Sequence, residues 1–169
     1  MSSERFTLKP IGVIRSPFKN VTQGVPIQGM LKPETRGTVD IFPEFAEGLK
    51  DLEGFSNIYL IYLFNMCEGW KLTVVPYLDT GPRGVFSTRS PHRPNHIGLT
   101  LVKLLKLTGN VLTIAGIDMI DGTPVIDIKP YNPAFDSTEK AAIGWMEPYF
   151  NNGKIPDTAT TSMKQWKHE

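Results

Sequence analysis

The sequence predicts a mostly-β domain, a small barrel or a sandwich. About seven short segments are β-branched and aromatic, or alternate apolar with polar residues. Turn signals separate them at short spacing, and only two segments read as helical. That pattern does not suit alternating βαβ units and their parallel sheet. At 169 residues the chain fits one domain of ordinary size.

In chain order, "TLKPIGVIRS" is a short β-branched strand ending before Pro17. Residues 17–36 are rich in Pro, Gly, Gln and Lys and read as a long loop, a kind that is more often functional than decorative. "GTVDIF" alternates Val39 and Ile41 with Thr38 and Asp40, as a half-buried strand does. "PEFAEGLKDLEG" opens on Pro43, carries early acids and stops at Gly54, which predicts a short helix. "FSNIYLIYLFN" predicts a central strand, and "KLTVVPY" one near an edge because of Pro76. "GVFSTR" reads as a further strand. "LTLVKLLKL", "TGN" and "VLTIAGIDMI" predict a hairpin of two long strands, and "DGTP" a tight turn into the strand "VIDIKPY". "STEKAAIGWMEPYF" predicts a helix capped by Ser137 or Thr138. The polar tail that follows has Trp166 as its strong anchor. Residues 1–136 are thus expected to form the β domain, and 137–169 a C-terminal helix and tail without a separate domain.

Composition narrows function. Apolar residues make up 40% and charged residues 21%, with a formal net charge of +1, so no global basic field advertises nucleic-acid binding. A local basic patch remains open, since Arg83, Arg89 and Arg93 lie close in sequence. The single cysteine, Cys67, allows neither an internal disulfide nor a cysteine-based zinc site within one chain. The first ten residues lack the apolar core of a signal peptide, and "IYLIYLF" is far shorter than a membrane span. A cytoplasmic protein without membrane attachment is the expectation.

The most unusual stretch is "STRSPHRPNHIGLT", Ser87 to Thr100. His92 and His96 are four apart, but Pro91 and Pro94 argue against the helix that would give this spacing a meaning, and no third ligand stands nearby; no metal is expected. Arginine forks bind carboxylate or phosphate and stack on adenine. Prolines lower the ordering cost of binding, and Gly98 would let a ligand approach the backbone. On the residues alone, a ligand cradle and a solvated turn stand about even. In "DMIDGTPVIDIKPY", Asp121-Gly122 is a hairpin signal, whereas Asp118 and Asp127 interrupt apolar strands. These two could pair with the arginines, bind ribose hydroxyls or accept a proton. "GVIRSPF" ends the first strand at Arg15, Ser16 and Pro17. Neither a Rossmann glycine fingerprint, nor a Walker loop, nor a nucleophile elbow is present.

Taken together, "IGVIRSPF", "GVFSTRSPHRPNHIGLTLVKL" and "DMIDGTPVIDIKPY" closely resemble the TsaA-like (TrmO) family, from about Ile11 to Tyr131. The resemblance implies a small antiparallel β-barrel, unlike the Rossmann methyltransferases, and a homodimer. It implies S-adenosylmethionine as cofactor. The implied substrate is tRNA: methylation of N6 of threonylcarbamoyladenosine beside the anticodon of ANN-decoding tRNAs. Position by position, it implies a cofactor site from Ser16, Pro17 and Phe18; from Arg89, Arg93, Asn95 and Leu99; and from Asp118, Asp121, Gly122 and Thr123. A further contact falls at Asn65 and Met66, where relatives often carry histidine at position 65. Because the carbamoylated nitrogen is a poor nucleophile, Asp118 or Asp121 is the expected catalytic proton acceptor.

Overall fold

The computed structural model describes residues 6–150. Eight strands form: β1 (Gly12–Arg15), β2 (Arg36–Ile41), β3 (Asn57–Leu63), β4 (Thr73–Val74), β5 (Arg83–Gly84), β6 (Ile97–Thr108), β7 (Val111–Ala115) and β8 (Pro124–Pro130). Six of them close an antiparallel barrel in the order β1-β2-β7-β6-β3-β8, while β4 and β5 make a separate two-stranded ribbon. Closure pairs every barrel strand on both sides and leaves no free edge. Of the two sequence readings, the barrel is the one formed.

Alternation sets the interior. β3 places Ile58, Leu60 and Tyr62 inward, and β6 places Val102 and Leu104 beside them. Ile14, Val39, Ile114 and Val125 complete the same core from the other strands. Each such buried side chain stabilises by about 1.5–3 kcal/mol. β6 is long enough to pair with β3 over its first half and with β7 over its second, with a register shift between Leu104 and Lys106.

Several expectations need correction. Residues Pro43–Leu49 and Leu52–Gly54 are 3-10 turns rather than one helix, because Asp51 adopts a left-handed φ of 67° between them. "GVFSTR" is not a strand: Val85–Ser87 forms a 3-10 turn whose Ser87 and Thr88 hydroxyls bond back to the carbonyls three residues earlier. The strand after the Gly109 turn stops at Ala115, since Gly116 turns left-handed at φ 78°. Asp121-Gly122 does not join a hairpin: β7 and β8 are not neighbours, and this turn packs on the end of β1 instead.

The helix expected from Ser137 is also different. A four-residue turn, α1 (Pro133–Asp136), is capped by Asn132, whose Oδ1 accepts from Ala134 N–H. Ser137 is extended, and the chain turns helical again only at Gly144–Met146, whose first residue has a left-handed φ of 59°, and in α2 (Glu147–Phe150). Trp145 anchors that segment: its indole N–H donates to Ser87 O at 2.8 Å, and Arg83 sits 5.5 Å over its ring. The Trp166 anchor lies outside the described residues.

Candidate functional site

The barrel has two ends, and the topology sends the singled-out segments to one of them. β1 and β3 end there, β2, β6 and β8 begin there, and β7 runs into it. The connections at this rim are therefore 16–35, 64–66, 85–96 and 116–123. They carry every residue proposed for the site except Leu99, which lies on β6 near its start.

Three contacts knit the rim. In the first, Ser16–Phe18 docks on Asp121–Thr123. Ser16 N–H donates to Asp121 Oδ1 at 3.0 Å, Asp121 N–H to Phe18 O at 2.7 Å, and Gly122 N–H to Ile14 O at 2.9 Å. Lys19 Nζ stands 2.9 Å from Asp121 Oδ2. Lys19 and the Ser16 amide hold the Asp121 carboxyl below the usual range. Gly122 supplies the left-handed φ of 82°, and the buried Thr123 hydroxyl donates to Ile120 O. Asp121 is thus a clamp with both oxygens engaged. It borders an open depression of about 590 Å³ that Ser16, Pro17, Arg15 and Arg36 also line.

The second contact centres on Asp118. Its Oδ2 accepts from Gly29 N–H at 2.8 Å, and Thr100 Oγ1 lies 2.9 Å from Oδ1, with Tyr62 OH 3.2 Å from the Thr100 hydroxyl. The residue keeps partial exposure, but its carboxyl is packed against protein, and burial pushes its pKa up to about 6 against those hydrogen bonds. Gly29 has no room for a side chain, since a Cβ would fall 1.7 Å from Gly116 O. Thr35 O accepts from Gly116 N–H, and the Thr35 hydroxyl donates to Ile117 O. Residues 28–35 are therefore fastened across the barrel mouth.

The third contact joins that loop to the arginine-rich connection. Exposed Arg89 donates from Nη1 to Gln28 Oε1 at 2.7 Å, leaving the rest of its fork facing outward. Arg93 has a different task. Its Nη1 donates to Thr88 O and Ser90 O, both at 3.2 Å, and so folds its own loop. His96 takes a left-handed φ of 48°, with Nε2 2.6 Å from Gly69 O. His92 Nδ1 lies 3.3 Å from Cys67 Sγ, so the histidines tie residues 67–71 to this loop. Burial lowers the His92 pKa, with Lys71 and His96 adding to it, and burial raises that of the Cys67 thiol.

Asn65, Met66, Asn95 and Leu99 share this rim but make no side-chain hydrogen bond among the described residues; Met66 and Leu99 are 62% and 44% exposed. Asp127 sits apart from the arginines, paired with Lys129 at 2.8 Å. Gly98 serves packing rather than ligand approach, because a Cβ there would lie 2.3 Å from the Tyr62 ring. Sequence reasoning missed Gln28, Gly29 and Thr100. Thr100 had a signal: it is polar at an inward position of β6, and a buried hydroxyl needs a partner.

A profile of the tRNA-methyltransferase O N-terminal domain matches residues 13–137. The chain belongs to the tRNA-methyltransferase O family. Among its relatives is a probable S-adenosyl-L-methionine-binding protein of Pyrococcus abyssi, 51% identical over 82% of this chain and 75% of its own length. The human tRNA (adenine(37)-N6)-methyltransferase is 40% identical over 91% of this chain and 36% of its own. A crystal structure of TrmO from Pseudomonas aeruginosa superposes with a TM-score of 0.71 at 38% identity, covering 86% of this chain and 63% of that one. The chain thus spans under two thirds of that solved relative. The family and the barrel expected from the sequence both hold. No helix among the described residues is long and apolar enough to cross a membrane.

Proposed function

We propose that this rim binds S-adenosylmethionine and that the chain methylates N6 of an adenine in tRNA. The observation carrying this reading is the fastened rim of a family barrel, where an exposed arginine fork, an elevated-pKa carboxylate and exposed apolar side chains share one end. That donor set fits an amino-acid-bearing nucleoside: Arg89 for a carboxylate, Asn95 for polar edges, Leu99 and Met66 for an apolar flank. Bound S-adenosylmethionine supplies an already activated methyl group, so the protein need not provide a nucleophile. Its work is to hold the acceptor nitrogen in place, which in favourable intramolecular cases is worth about 7–11 kcal/mol.

The acceptor we propose is the threonylcarbamoyl-modified adenosine beside the anticodon of ANN-decoding tRNAs. A loop base is reached without opening a duplex. Of the two carboxylates we assign proton acceptance to Asp118, the more basic at neutral pH with a pKa of about 6; both its oxygens are hydrogen-bonded, so accepting a proton requires release of Gly29 N–H or the Thr100 hydroxyl. Asp121 is held ionised by Lys19 and Ser16 and keeps the rim in shape. We also propose a homodimer through the exposed apolar side chains around Ile97 and Leu99.

The test is labelled-methyl transfer to tRNA bearing the threonylcarbamoyl group, alongside calorimetry of cofactor binding. Arg89→Ala is expected to weaken cofactor binding at least tenfold with no loss of fold. Absence of binding by the wild-type chain at millimolar cofactor would end the proposal. Archaeal relatives named only as S-adenosyl-L-methionine-binding proteins motivate a second reading, a binding module without turnover. Binding without transfer to any tRNA pool favours it.

A further inference from the structure

We infer that the outer face of β1, β2, β7 and the second half of β6 is a docking surface for the phosphate backbone of RNA. This rests on the tRNA reading above and names where the nucleic acid lies. Strand register brings the surface together. Arg36 is opposite Ala115, which is opposite Lys103; one step back, Arg15, Thr38, Thr113 and Lys106 form a second row. With strands about 4.8 Å apart, the first row spans about 10 Å and the second about 14 Å between Cα atoms.

The charge is one-sided. Arg15 is balanced by Asp40 at 3.0 Å and the adjoining Lys19 by Asp121 at 2.9 Å. Arg36, Lys103 and Lys106 are exposed and carry no ion pair among the described residues. A chain of net charge +1 has therefore gathered three uncompensated cations on one sheet face. Between them stand the short, half-buried side chains of Thr38, whose hydroxyl donates to Asp40, and Thr113, with Ala115 buried beneath, so no long side chain rises between the cations. The first half of β6 is different outside, with exposed Ile97 and Leu99, so the basic face is a local feature of the barrel. It is also continuous with the candidate site, since Arg15, Arg36 and Thr38 line the same depression as Ser16, Pro17 and Asp121. A strand held there passes the rim where its base would be read. Cations held at such a face release counterions when phosphate binds, and that is measurable.

The experiment is fluorescence anisotropy of a labelled ANN-anticodon tRNA transcript against the full chain, from 50 to 300 mM KCl. The triple change Arg36→Ala, Lys103→Ala, Lys106→Ala is expected to lower the slope of log Kobs against log salt by about 2, given roughly 0.7–0.9 per phosphate contact. Lys50→Ala, at the opposite barrel end, is expected to leave the slope unchanged. If the wild-type chain binds tRNA and the triple variant keeps its slope, this surface is wrong and the tRNA reading stands. If the wild-type chain binds no tRNA, both fall. Binding to acidic lipid vesicles in place of tRNA also overturns it. Should the triple variant fail to melt cooperatively, Lys106→Ala alone replaces it, with an expected fall of about 0.8.

Discussion

The two ends of this barrel share the same six strands and are closed in opposite ways. The candidate-site end is tied by polar contacts over long sequence separations: Ser16 to Asp121, Gly29 to Asp118, Gln28 to Arg89. The opposite end is plugged by apolar side chains. Phe45, Leu49 and Leu52 from the 3-10 turns after β2 pack on Ile11 and Ile128 around a cavity of about 430 Å³. An apolar plug tolerates small shifts, because burial is not directional. A polar rim does not, since each unmade bond leaves a desolvated group behind. The comparison teaches where precision is kept: at the end where ligand geometry would matter.

Breaking the polar end at its tightest point is expected to cost the most. Gly29→Ala would drive a Cβ into Gly116 O and unseat the bond to Asp118. We expect a loss of about 3–4 kcal/mol in denaturant unfolding, together with loss of cofactor binding. Leu49→Ala, in the plug, is expected to cost about 3 kcal/mol by cavity formation while leaving cofactor affinity of the folded protein unchanged. Equal effects of both variants on affinity would break the comparison.

Asp118 sharpens it through pH. Its folded pKa of about 6 lies above the unfolded value of about 3.9, so the folded chain holds a proton the unfolded chain has released. That contribution to stability is complete below pH 4 and is lost as pH rises through 6, by at most about 3 kcal/mol. Asp118→Asn is expected to remove this slope from urea midpoints measured at pH 4–7. A smaller effect is expected from Asp121→Ala, which frees the Ser16 amide and Lys19: about 1–2 kcal/mol, with weaker cofactor binding in calorimetry. Unchanged affinity there would mean that the clamp and the ligand site are separate.

Much of the barrel was legible because period-2 alternation is a local property. Val39 and Ile41 against Thr38 and Asp40 show it, as does the Gly109 turn between β6 and β7. Helices were read less well: Pro43 and the early acids are correct N-terminal chemistry, but the left-handed Asp51 divides the first segment, and the second is non-helical from Ser137 to Ile143. The site residues drew notice by residue type, yet type alone did not divide their tasks. Arg89 and Arg93 look equivalent in sequence, while one faces outward and the other bonds its own loop's carbonyls.

The sequence by itself determined the six barrel strands, the family and the chemistry gathered in three short stretches, since these depend on residue identity and near-neighbour spacing. Only the tertiary structure decided that Asp121 clamps and the Asp118 carboxyl is packed against protein, and that Gln28, Gly29 and Thr100 join them. Those outcomes come from barrel closure, which sets residues tens of positions apart at hydrogen-bonding distance and withdraws one carboxyl, not the other, from water.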